Sequence, residues 1–92
     1  MGREMMSARY DYMEIFKEVE RKLKRKNINC TIVKEEEYPY LDFEVDGEKY
    51  HLQADLSYKI IRIYRYTKSG SPKFEYDSTH KTISGVCYAL GI

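Results

Sequence analysis

The run Tyr40-Leu41-Asp42-Phe43-Glu44-Val45-Asp46-Gly47-Glu48-Lys49-Tyr50-His51-Leu52-Gln53-Ala54 decides the fold. Its two arms alternate apolar and polar residues on either side of Asp46-Gly47, a dipeptide that accepts the positive φ angles of a two-residue type I′ turn. With Val45 facing Glu48, Glu44 meets Lys49, Phe43 meets Tyr50, Asp42 meets His51 and Leu41 meets Leu52. One face of the pair is then apolar and the other is polar with opposite charges matched, and a slip of one residue destroys both sets at once. The segment is predicted to be an antiparallel hairpin with one buried face.

Upstream, Tyr12, Ile15, Phe16, Val19 and Leu23 recur at the spacings of one helical face, predicting an amphipathic helix over residues 8–26. Asp11 with Glu14 reads as a capping box, which would start the helix at Tyr12. Glu18 to Lys22 and Glu20 to Lys24 are acid-then-base pairs four apart, and the basic run Arg21, Lys22, Lys24, Arg25, Lys26 suits a helix C-terminus. From Ile28 the period becomes two, predicting a strand with Ile28, Cys30 and Ile32 inward, and the loop Glu35-Glu36-Glu37-Tyr38-Pro39 ends it.

Downstream, a turn at Asp55 to Ser57 leads to a strand from Tyr58 to Tyr66, with Ile61 and Ile63 inward because the other set would bury Arg62. The loop from Thr67 to Pro72 precedes a short strand, Lys73 to Tyr76, which is expected to pair Tyr66 with Lys73 and so to place Ile63 opposite Tyr76 and Phe74 on the inner face. Asp77, Ser78 or Thr79 caps a last helix carrying His80, Ile83, Val86, Cys87 and Leu90, and Gly91 stops it. Tyr12, Tyr50 and Tyr76 are assigned to the core. The expected fold is α+β: a two-layer sandwich with N- and C-terminal helices on one face of a four- to five-stranded antiparallel meander. Residues 1–92 form a single domain, with 1–7 as a flexible tail.

At 92 residues the chain holds one domain, whose core leaves little room for an enclosed cofactor cleft. Sixteen basic against 15 acidic residues, a net charge of +1, argue against coating DNA or anionic membrane by bulk charge. With no apolar run long enough for a membrane span and no signal peptide, the chain reads as soluble and cytoplasmic. Two Asn and one Gln amid dense Lys, Arg and Glu resemble thermophile composition. In such a cell a Cys30 to Cys87 disulfide is admissible; otherwise the two pack as buried thiols.

Several chemistries are set aside. Cys30 and Cys87 face the core and His51 the opposite side, so with His80 they do not converge on a metal, and no cofactor fingerprint or nucleophile elbow occurs. Asp42, Glu44 and His51 resemble an active site superficially, yet lack the third ligand and following lysine of metal-dependent nucleases and serve as cross-strand contacts. The chain is read as a non-enzyme.

The uncovered sheet face is the functional candidate. Its strand from Tyr58 presents Tyr58, Ile60, Arg62, Tyr64 and Tyr66, and Tyr with Arg are common interface anchors. Read blandly, tyrosine is simply a good strand former with its hydroxyl in water. The leading expectation is a small binding, regulatory or inhibitor protein that occupies a protein partner or a second copy of itself as a homodimer. The other is an RNA- or DNA-binding module using the sheet aromatics, with Arg21, Lys22, Lys24, Arg25 and Lys26 gripping phosphate; Asp42, Glu44 and the Glu35 to Glu37 loop oppose it. The order of helix, antiparallel strands and helix is similar to double-stranded-RNA-binding domains, without their Gly-Pro-x-His loop or Lys-Lys-x-Ala-Lys helix start, so that resemblance carries no site residues. In size and compact style the chain also resembles inhibitors encoded by viruses and mobile elements, anti-CRISPR proteins among them.

Overall fold

A computed structural model describes residues 11–92. Helix α1 (Tyr12–Arg25) is followed by β1 (Cys30–Val33), β2 (Tyr40–Val45), β3 (Glu48–Asp55), β4 (Ile60–Tyr66), β5 (Phe74–His80) and helix α2 (Ile83–Leu90). The five strands lie in sequence order and pair antiparallel throughout, a meander with both helices on one face. The expected tail at residues 1–7 and the first turn of the expected helix at residues 8–10 lie outside the described residues.

The β2–β3 hairpin has the predicted register, from Val45 opposite Glu48 to Leu41 opposite Leu52, and Tyr40 opposite Gln53 extends it. Asp46 and Gly47 both take positive φ, 52° and 82°, as the type I′ turn requires. The inward side chains Leu41, Phe43, Leu52, Ala54, Ile61 and Ile63 meet Ile15, Phe16, Val19 and Leu23 of α1 and Val86 and Cys87 of α2 in one core. Each large side chain fully withdrawn from water there contributes roughly 1.5–3 kcal/mol.

Helix α1 starts at the capping residue: the Asp11 carboxylate accepts hydrogen bonds from the backbone N–H groups of Met13 and Glu14. It ends where Asn27 turns left-handed (φ 61°) and Ile28 N–H donates to Leu23 O at 2.9 Å, so Ile28 is spent on the helix exit and β1 begins at Cys30. On its surface Glu18 pairs with Arg21 one turn on, not with Lys22 as the four-residue spacing suggested, because the guanidinium engages both carboxylate oxygens.

Three expectations fail at the far side of the sheet. Strand β4 begins at Ile60, and Tyr58 sits in the preceding turn, because the Asp55 carboxylate accepts from both Ser57 N–H and Tyr58 N–H and Lys59 is left-handed (φ 57°). Strand β5 is longer than expected and pairs one residue out of the expected register, with Tyr66 opposite Phe74 and Tyr64 opposite Tyr76. The connecting loop explains the shift: it closes through Thr67 N–H to Lys73 O at 3.0 Å, which keeps Lys73 in the loop. Phe74 therefore lies on the uncovered face, and Tyr76, assigned to the core from sequence, is 58% exposed there.

Beyond Tyr76 the ladder skips Asp77, so that Ile63 faces Ser78 and Ile61 faces His80. This bulge turns Ser78 and His80 inward beneath α2, whose cap is Thr82 rather than Asp77, Ser78 or Thr79. His80 thus belongs to a strand, not to the last helix. The approach is close at Gly85, where an added Cβ would lie 3.0 Å from Thr82 Oγ1 and 3.3 Å from His80 Nδ1. Gly91 ends α2 as expected, with φ 73°.

Phe16 has no exposed surface, whereas Tyr88 is 89% exposed on α2. Phe16→Ala is expected to lower the unfolding free energy by about 3–5 kcal/mol in urea titration, and Tyr88→Ala to change it by less than about 0.5 kcal/mol.

Candidate sheet-face interface

On the uncovered face, β2 contributes Tyr40, Asp42 and Glu44; β3 contributes Lys49, His51 and Gln53; β4 contributes Ile60, Arg62, Tyr64 and Tyr66. Thr31 and Val33 of β1 and Phe74, Tyr76 and Thr79 of β5 complete it. These residues form a second, smaller packed layer. Its centre is His51, 5% exposed, stacked on Phe74 (4.5 Å between centroids, 21° between planes) and against Tyr40 at 4.8 Å. Tyr64 and Tyr66 flank the imidazole at 6.0 and 6.1 Å. Phe74 continues the layer to Tyr66 (4.8 Å) and Tyr64 (5.8 Å), and Tyr64 continues it to Tyr76 (5.9 Å). Each such ring pair adds about 0.5–1.5 kcal/mol beyond its buried area.

One carboxylate holds this layer together. Asp42 Oδ1 lies 2.7 Å from His51 Nδ1, and Asp42 Oδ2 accepts from the Tyr66 hydroxyl at 2.9 Å across the intervening strand β3. Since an ionised carboxylate only accepts, His51 donates through Nδ1. Burial, reinforced by the hydrogen bond to Asp42 and that residue's charge, pushes the Tyr66 phenol up to about 12. At the other end Asp55, 4% exposed, accepts from Ser57 N–H, Tyr58 N–H and Arg62 Nη1, the last at 2.8 Å. The backbone N–H of Tyr58 and the Arg62 guanidinium hold the Asp55 carboxyl below the ordinary carboxylate range.

The sequence-predicted residues are thus divided. Tyr64 and Tyr66 share the aromatic layer, Arg62 and Ile60 are half-buried beside it, and Tyr58, 72% exposed, projects from the turn instead. Glu44 and Lys49 are register neighbours, but the Lys49 ammonium lies over the Tyr66 ring, 5.1 Å from its centroid. Lys73 covers Tyr66 and Phe74 at 5.9 and 5.5 Å, and such exposed cation contacts are worth only about 0.5–1 kcal/mol. Arg21, Lys22, Lys24 and Arg25 lie on α1 and Lys26 is its C-cap, all in the opposite layer, so they do not join the sheet aromatics in one surface. Lys49 lies on this face as its pairing with Glu44 predicted, whereas Phe74 and Tyr76, expected on the inner face, and Lys73, expected in the strand opposite Tyr66, were not read as part of it. The signal that could have found Phe74 is the preference for aromatic cross-strand pairs, which favours Tyr66 opposite Phe74 over Tyr66 opposite Lys73.

Cys30 is half-buried and Cys87 buried, both as free thiols whose pKa burial pushes up. Among the described residues no three His, Cys, Asp or Glu side chains are grouped to hold a metal, and no helix is long and apolar enough to cross a membrane.

Asp42→Ala is expected to cost about 1.5–3 kcal/mol, because it leaves a buried imidazole N–H and a phenol hydroxyl without their acceptor, and to lower the Tyr66 titration seen by phenolate absorbance. In the wild type the Tyr66 contribution is whole below the ordinary tyrosine pKa of about 10 and is lost as pH rises toward about 12. The Asp55 contribution has the opposite sign: it is present above the ordinary carboxylate range and is lost as pH falls through the lowered value. Thermal melts across pH should therefore decline at both extremes.

Comparison with family models, with curated protein sequences and with solved structures finds no match to this chain.

Proposed function

We propose that this chain is a small non-catalytic binding protein, of regulatory or inhibitor type, that acts by laying its uncovered sheet face on a partner macromolecule. The observation that carries this reading is the continuous layer of Tyr64, Tyr66, Phe74 and Tyr76 on a face that no described element covers. A rigid sheet presents these rings with their rotamers already fixed by neighbours, so little side-chain entropy is lost when a partner docks. Tyr76 supplies exposed ring surface, and Tyr64 and Phe74 are half-buried behind it.

The burial of His51 supports a binding rather than a catalytic role. An imidazole paired with a carboxylate has the form of an oriented base, but this ring is sandwiched between Phe74 and Tyr40 and is 5% exposed. Its work is to hold the rings in place.

Tyr64→Ala/Tyr76→Ala removes ring surface without touching the Asp42 hydrogen bonds. Immobilised wild type is expected to retain a macromolecule from a host lysate that this variant, folded by circular dichroism, does not retain. Identical retention by both proteins would refute the reading. Light scattering decides self-association: a dimer that dissociates in the double variant assigns the face to a second copy.

A further inference from the structure

We propose that the partner of the sheet face is a single-stranded nucleic acid, its bases stacking on the aromatic layer and its phosphates meeting Lys49 and Lys73. This rests on the binding reading above and names its partner class.

The charge on the face carries the proposal. Composition alone opposes a polyanion, since the face holds Asp42, Glu44 and Asp55. The geometry changes that count. Asp42 is spent on His51 and Tyr66, Asp55 on Arg62 and two backbone N–H groups, and Asp77, at the β5 bulge, lies 3.6 Å from Arg65. Among the described residues the ammonium groups of Lys49 and Lys73 have no carboxylate within ion-pair distance; Lys49 lies over the Tyr66 ring and Lys73 over those of Tyr66 and Phe74. Among the described residues Glu44 is the remaining exposed carboxylate of the face, and it sits on β2, beside Lys49 rather than among the rings.

Charge is also separated along the strands. The Glu35 to Glu37 loop enters β2 at Tyr40, the end where Pro39 O accepts from Ala54 N–H. Lys49, Tyr66 and Lys73 lie at the opposite end, beside the Asp46-Gly47 turn and the loop that closes at Lys73. A strand of this length separates the two by roughly 17–20 Å, beyond the Debye length of about 8 Å at physiological salt. The aromatic end therefore meets phosphate without opposition from the acidic loop.

The ligand class follows from these two features together. Every base has a flat π face, so stacking on tyrosine and phenylalanine tolerates any sequence, whereas a duplex hides those faces. Lysines that, among the described residues, are held by ring contacts and not by carboxylates are available to swing onto phosphate as bases take their place. An acidic, aromatic-rich peptide meets the charge but lacks the repeating stackable faces.

The test is fluorescence anisotropy with a labelled oligothymidylate of about 16 nucleotides, at about 50 mM salt and upward. Wild type is expected to bind, to prefer the single strand to a duplex of equal length, and to weaken as salt rises. Tyr64→Ala/Tyr76→Ala should lose about tenfold or more in affinity. Lys49→Gln/Lys73→Gln should flatten the plot of log affinity against log salt by about 1.4, at about 0.7 for each phosphate no longer neutralised. Glu44→Gln should bind at least as well as wild type. No binding at low salt, a duplex preference, or equal affinity in the tyrosine variant overturns the proposal. If the oligonucleotide does not bind while the face still captures a macromolecule from lysate, the partner class is wrong and the binding reading stands; if both fail, both fall.

Discussion

The register of the β2–β3 hairpin is the constraint on which the rest of the molecule depends. Placing Leu41 against Leu52 also places Asp42 against His51, because successive side chains on a strand point to opposite faces. One choice of pairing thereby builds two interiors. Toward the helices it supplies the apolar floor on which Phe16, Val19 and Leu23 pack, and on the other side it delivers a carboxylate and an imidazole to each other at 2.7 Å. A slip of one residue would send leucine to water and aspartate beneath the helices.

The second interior is unusual for a sheet left open on one side. An open antiparallel face is ordinarily a scatter of polar residues in water. Here polar groups are consumed in pairs, Asp42 with His51 and Tyr66, and Asp55 with Arg62, and the rings pack around the first of these. On the proposed binding reading the aromatic residues have two tasks. Their inner surfaces shield hydrogen bonds that would be weaker in water, and their outer surfaces remain for a partner. On that reading stability and binding draw on the same side chains.

The elements held by short-range chemistry were legible in the sequence. Asp46-Gly47 determines both turn and register, Asp11 announces the start of α1, and Gly91 marks the end of α2. The antiparallel meander between two helices, expected with four or five strands, followed from period and turn residues, and it has five strands. The β4–β5 pairing was not legible, because six residues connect Tyr66 to Lys73 with no two-residue turn to set the register, and the bulge at Asp77 leaves no pattern of its own. Those two gaps sent Phe74 and Tyr76 to the wrong face. The bond from Tyr66 to Asp42 was hidden for a related reason: it crosses β3, and cross-strand pairing rules see only adjacent strands. Tyr58 was misplaced because the Asp55 carboxylate competes with the ladder for the turn N–H groups.

The central claim is that Asp42 couples the hairpin to Tyr66 and so organises the uncovered face. A double-mutant cycle measures that coupling directly, using Asp42→Asn, Tyr66→Phe and the combined variant, with unfolding free energies from urea titration. The account predicts an interaction energy of about 0.5–3 kcal/mol between the two positions. Additive losses would contradict it, and the face would then be an ordinary polar sheet surface rather than a second packed layer.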